Sequence, residues 1–98
     1  VYIPAIVLGE LHAGFEQGSR RDENRSELRE FLEMPGVFTA AVNDDVAERY
    51  GLVVRALRLQ GTPIPTNDIW IAALVLQHDL ALYARDRHFD HLPQLVMV

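Results

Sequence analysis

Apolar residues recur along this chain in two rhythms, and their alternation outlines its elements. Val1-Tyr2-Ile3 reads as the tail of a strand. Pro4 suits the first turn of a helix, where a missing N–H costs nothing. From there to about Gln17, Val7, Leu11, Gly14 and Phe15 follow the i, i+4, i+7, i+8 spacing of one helical face. Gly18-Ser19 ends that helix. Asp22 to Met34 reads as a second helix with a thin stripe of Leu28, Phe31 and Leu32, stopped by Pro35-Gly36. Gly36 to Val42 is predicted to be a short strand. Asn43-Asp44 is an N-cap signal for a helix reaching about Gln60, with Val46, Ala47, Tyr50, Val53, Val54 and Leu57 as its stripe and Gly61 as its stop. After the rigid loop Thr62-Pro63-Ile64-Pro65-Thr66, either Asn67 or Asp68 is expected to cap the most apolar helix of the chain, which ends near His78-Asp79. Leu80 to Ala84 reads as a buried strand, Asp86 to Leu92 as a turn or short helix, and Gln94 to Val98 as a last strand.

Helices thus alternate with short apolar strands that lack an in-out alternation. That pattern predicts an α/β fold with a parallel sheet covered on both faces. At 98 residues the chain makes one domain, near the lower limit for a self-sufficient core. No apolar run approaches the roughly 20 residues needed to span a bilayer. The absence of cysteine excludes disulfides and thiolate metal sites and agrees with a cytoplasmic setting. A net charge of −5 argues against non-specific binding of nucleic acid by the whole surface, though not against a local basic patch.

Three acids stand out against the apolar pattern. Glu10 lies inside Ile6-Val7-Leu8-Gly9-Glu10-Leu11, beside the stripe of the first helix. Asp68 opens the run Ile69 to Leu76, and Asp86 closely follows Leu80 to Ala84. Ionised carboxylates are rarely buried unless paired or bound to a metal. Each acid also has a plainer reading: Asp68 as an N-cap, Asp86 as a turn residue past a strand, and Glu10 as a side chain reaching out to solvent. Taken together, oxygen ligands in this number suit Mg²⁺ or Mn²⁺.

The flanking residues carry a resemblance. Pro65-Thr66-Asn67-Asp68-Ile69-Trp70-Ile71-Ala72-Ala73 resembles the central motif of PIN-domain ribonucleases of the VapC toxin type. Ile6-Val7-Leu8-Gly9-Glu10-Leu11-His12-Ala13-Gly14 is similar to the family's Glu-Leu-x-x-Gly helix, and Arg85-Asp86-Arg87-His88-Phe89-Asp90-His91-Leu92 to its Asp-x-x-Phe segment. The resemblance implies a three-layer α/β/α PIN-like domain over 1–98. It implies a metal-dependent endoribonuclease acting as the toxin of a toxin–antitoxin pair. Glu10, Asp68 and Asp86 would be its catalytic, metal-binding acids, with Mg²⁺ or Mn²⁺ as cofactor. RNA would be the substrate, an antitoxin protein the partner and a homodimer the assembly. In two places the chain departs from the family. A further family Asp sits in an Asp-Thr-x-x-Leu strand that is absent here, so the natural product is expected to extend upstream of Val1. Ala84 and His88 stand where the family commonly has Thr or Ser and an acid; Asp90 could replace the latter or simply be exposed.

Arg85 and Arg87 flank Asp86 and would suit phosphate contacts. Arg21, Arg25 and Arg29 recur every four residues on one helix face, with Arg20 adjoining. This column reads either as a solvated face, in which Arg29 pairs with Glu33, or as an RNA contact. His12, His78, His88 and His91 form no zinc spacing. Trp70 reads as core. The rival reading from another class is a non-catalytic, truncated PIN-like module that dimerises or binds a partner.

Overall fold

In the computed structural model, residues 1–82, 91, 92 and 95–97 are described. The chain divides into two compact units, Val1–Ala41 and Val42–Val98. The first runs β1 (Tyr2–Pro4), α1 (Ala5–Gln17), α2 (Arg21–Leu32) and β2 (Phe38–Ala40). The second runs α3 (Asp44–Gln60), α4 (Thr66–Gln77), β3 (Ala81–Leu82) and β4 (Val96–Met97).

β1 and β2 pair in parallel, with Tyr2 opposite Phe38, Ile3 opposite Thr39 and Pro4 opposite Ala40. A parallel pair requires a crossover, which the α1–α2 hairpin supplies. The Tyr2 and Phe38 rings stack with centroids 5.3 Å apart. β3 and β4 are also parallel, with Ala81 opposite Val96 and Leu82 opposite Met97. The expected parallel α/β organisation is therefore present in both units. The predicted strand Gly36–Val42 shortens to β2, and Leu95 falls outside β4; Gln94, Val98 and the remainder of Leu80–Ala84 beyond Leu82 lie outside the described residues.

Helix boundaries follow local chemistry. α1 ends at Gln17 and Gly18 caps it, donating its N–H to the Phe15 carbonyl at 3.1 Å. Pro4 falls one residue earlier than predicted, as the extended N-cap rather than in the first turn. α3 is capped by the Asn43 side chain, which accepts from the Val46 N–H at 3.1 Å. It closes on Gly61 in the left-handed conformation at φ 72°, where glycine avoids the Cβ clash of other residues. Asn43→Ala is expected to lower stability by about 1 kcal/mol, read as a shifted urea midpoint with unchanged slope.

The core of the second unit is the α3–α4 contact. Val46, Val53 and Leu57 of α3 are buried, as are Ile69 and Ile71 to Val75 of α4, together with Ile64, Leu92 and Leu95. Tyr50 and Trp70 stack at 4.0 Å with an interplanar angle of 23°. Trp70 is thus half-buried against α3, close to the core position expected of it. Ala47, expected in the α3 stripe, is exposed. Arg49 Nε donates to Gln77 Oε1 at 3.4 Å and ties the end of α4 to α3.

α1 differs from its prediction. None of its residues is buried, and Leu11 is 39% exposed. Its apolar spacing is real, but spacing defines a face without supplying a cover for it.

Candidate metal and nucleic-acid site

Asp68 occupies the first turn of α4. The loop before it contains Pro63 and Pro65, and Pro65 is held extended at φ −57°, ψ 146° as the N-cap. The Ile69 N–H donates to the Pro65 carbonyl at 3.2 Å and opens the helix at Thr66. Neither Asn67 nor Asp68 is therefore the cap, contrary to expectation, and no side chain caps α4. The two prolines hold the residues before them, Thr62 and Ile64, to extended backbone, and the helix opens at Thr66, two residues sooner than with Asn67 as its cap. Asp68 lies inside the helix, half-buried, with Ile69 buried immediately after it. A carboxylate there is favoured by the partial positive charge of the helix N-terminus.

Glu10 lies in the middle of α1 and is exposed. Both acids are engaged in interactions of their own. Among the described residues no polar or charged side chain is buried. Neither Glu10 nor Asp68 therefore needs a cation to be tolerated where it sits, and burial, the first sequence argument for a shared ion, does not apply to these two. Glu10 belongs to the first unit and Asp68 to the second. Asp86, Arg85, Arg87, His88, Phe89 and Asp90 lie outside the described residues. Among the described residues, no three His, Asp or Glu side chains gather closely enough to hold a metal. The predicted donor set fits a hard divalent cation in kind: carboxylate oxygens, with no thiolate in the chain.

Two clefts were not evident from the sequence. One, of about 450 Å³, lies between α3 and α4 and is lined by Tyr50, Val54, Leu57, Arg58, Ile64 and Ile69 among others. The other, of about 220 Å³, lies between α1 and α2 and is lined by His12, Arg25, Leu28, Arg29 and Leu32. The only advance sign of the second was the four-residue arginine spacing. The expected Arg29–Glu33 pair is not formed among the described residues. Glu33 is the C-cap of α2 and its N–H donates to the Arg29 carbonyl at 3.1 Å, so the backbone allows the pair and the side chains do not make it.

The PIN domain family matches residues 1–95. The chain belongs to the PIN domain family. Ribonuclease VapC4 of Mycobacterium tuberculosis is 26% identical over 96 residues, spanning 98% of this chain and 74% of that protein. Among solved structures, VapBC2 from Rickettsia felis, bound to a DNA fragment from their promoter, superposes with a TM-score of 0.88. It shares 26% identity and covers 99% of this chain and 72% of that one. VapBC-1 from nontypeable Haemophilus influenzae has the same TM-score at 23% identity, over 100% of this chain and 72% of that one, which speaks to the fold alone. The α/β fold is thus that of PIN-domain VapC proteins. No described helix is long and apolar enough to cross a membrane.

Proposed function

We propose that this chain is the PIN-like domain, over 1–98, of a metal-dependent endoribonuclease that serves as the toxin of a toxin–antitoxin pair. The observation that carries this reading is the family match over residues 1–95, which contains all three motif acids in order. The similarity to a protein named as a ribonuclease supports the activity. The similarity to VapBC assemblies, one of them described as a member of a family of toxin–antitoxin systems, supports an antitoxin partner. A homodimer and a cytoplasmic location belong to the same reading.

In this proposal Glu10, Asp68 and Asp86 hold Mg²⁺ or Mn²⁺. A bound divalent cation supplies Lewis acidity and a lower pKa for a coordinated water. The three carboxylates fix its position and balance its charge. Arg85 and Arg87 orient the phosphate by planar, charge-assisted hydrogen bonds. Water adds to phosphorus in line, the P–O bond to the leaving oxygen breaks, and that oxygen takes up a proton.

The full-length protein is expected to cut single-stranded RNA with Mg²⁺ or Mn²⁺ present and to lose that activity in excess chelator. Gel analysis of labelled RNA measures both. Undiminished cleavage in chelator would remove the metal from the reading, and no cleavage in either metal would remove the nuclease.

A further inference from the structure

Helix α2 sorts its charges by flank. Steps of about 100° per residue place Asp22, Arg25, Ser26 and Arg29 on one side of the half-buried Leu28 and Leu32. Glu23, Glu27 and Glu30 fall on the other side. The neighbouring arginines are already satisfied. Arg20 Nη2 meets Glu23 Oε2 at 2.6 Å, and Arg21 meets Glu16 and Asp22 at 3.3 Å each. These contacts, Glu16 first and Asp22 second, hold the Arg21 guanidinium above its ordinary pKa. Arg25 and Arg29, both exposed, pair with no carboxylate among the described residues.

Two adjoining clefts share this arginine pair. One, of about 220 Å³, includes His12 of α1. The other, of about 240 Å³, includes Asp22 and Ser26, and Asp22 is already engaged by Arg21. Four residues of helix separate Arg25 from Arg29, an axial rise of about 6 Å, so each can serve a different phosphate of one strand. An acidic protein segment would need apolar anchors for affinity, and these clefts offer little beyond Leu28 and Leu32. A polyanion gains affinity from counterion release alone.

We propose that the Arg25–Arg29 flank of α2, with His12 in the same cleft, binds the phosphodiester backbone of single-stranded RNA. The choice of RNA as the polyanion rests on the ribonuclease reading above. It makes this flank a subsite of the substrate, additional to the three motif acids and to Arg85 and Arg87.

The test is fluorescence anisotropy of a labelled single-stranded RNA with the full-length protein, in chelator so that nothing is cut, from 50 to 200 mM salt. Arg25→Gln/Arg29→Gln is expected to make the salt dependence shallower by about 1.4, or 0.7 for each phosphate no longer neutralised. The wild-type advantage then shrinks about sevenfold across that salt range. Arg25→Lys/Arg29→Lys retains the wild-type slope, and so does Glu27→Gln/Glu30→Gln on the opposite flank. If the double glutamine variant does not fold, each single replacement is expected to lower the slope by about 0.7. Wild-type slopes in the folded glutamine variants overturn the proposal, as does a wild-type protein that binds no RNA. Loss of binding to poly-glutamate with RNA binding intact overturns it in favour of a protein partner. RNA bound with the altered slope yet left uncut in Mg²⁺ and Mn²⁺ sinks the nuclease reading and leaves this surface standing. RNA that is cut, with unaltered slopes, does the reverse.

Discussion

Asp68→Asn in the full-length protein is expected to lose more than about a hundredfold in RNA cleavage while remaining folded. Replacing groups that merely support a metal ligand already costs up to about a hundredfold, and Asp68 is proposed as a ligand itself. Asparagine keeps the shape and one oxygen but removes the charge that balances the cation. Asp68 is not the cap of α4; Pro65 is. Asparagine keeps a polar side chain for the interaction that Asp68 makes, and the helix N-terminus loses a carboxylate worth roughly 0.3 to 1 kcal/mol. For a chain of this size that helix-terminus loss lowers the melting temperature by about 8 °C at most. Single-turnover cleavage and a thermal melt on the same sample measure the two effects. Equal cleavage by the variant removes Asp68 from the site, and a melt collapsed by tens of degrees makes the loss of activity structural.

The largest effect on stability is expected at Leu74. Its side chain is fully buried at 0% exposure, in the middle of the buried run of α4. Leu74→Ala is expected to cost roughly 3 to 5 kcal/mol, the transfer of the lost methyl groups plus the cavity left behind. Against a total of about 5 to 15 kcal/mol for an ordinary domain, that removes from about a fifth to all of the stability. Leu59→Ala is the matched comparison. Leu59 is 78% exposed on α3, and its truncation is expected to change stability by less than about 0.5 kcal/mol. Urea midpoints of the two variants separate them, and equal midpoints would show that α4 is not the centre of the core.

These contrasts also show which features were readable in advance. α3 was legible almost to the residue, because Asn43 caps it with a side-chain acceptor and Gly61 ends it in a conformation other residues resist. Both devices act over a few bonds. The start of α4 was misjudged for a local reason too: the Asn67-Asp68 capping signal competed with Pro65, which takes the N-cap position. α1 was legible as a helix but not as one without a buried residue, since the stripe Val7, Leu11, Gly14 and Phe15 records apolar character and not what covers it. The same limit applies to the site. Motif order singles out Glu10, Asp68 and Asp86 as family positions, while the gathering of side chains in space is a tertiary property that no spacing encodes. The Arg25–Arg29 column lay in plain view as an i, i+4 repeat. Its freedom from acids among the described residues depended on which partners Glu16, Asp22 and Glu23 chose, and that required side-chain positions.

The near-absence of a polar face on α4 has a consequence during synthesis. Six of its twelve residues are buried, and the run Ile69 to Leu76 contains no charge. Exposed on a nascent chain, such a segment is a target for aggregation and for chaperones. Here the amphipathic helix that covers it, α3, lies immediately upstream and leaves the ribosome first. The most vulnerable stretch of the protein therefore emerges when its shelter is already made, and the order of the two helices along the message is itself a safeguard.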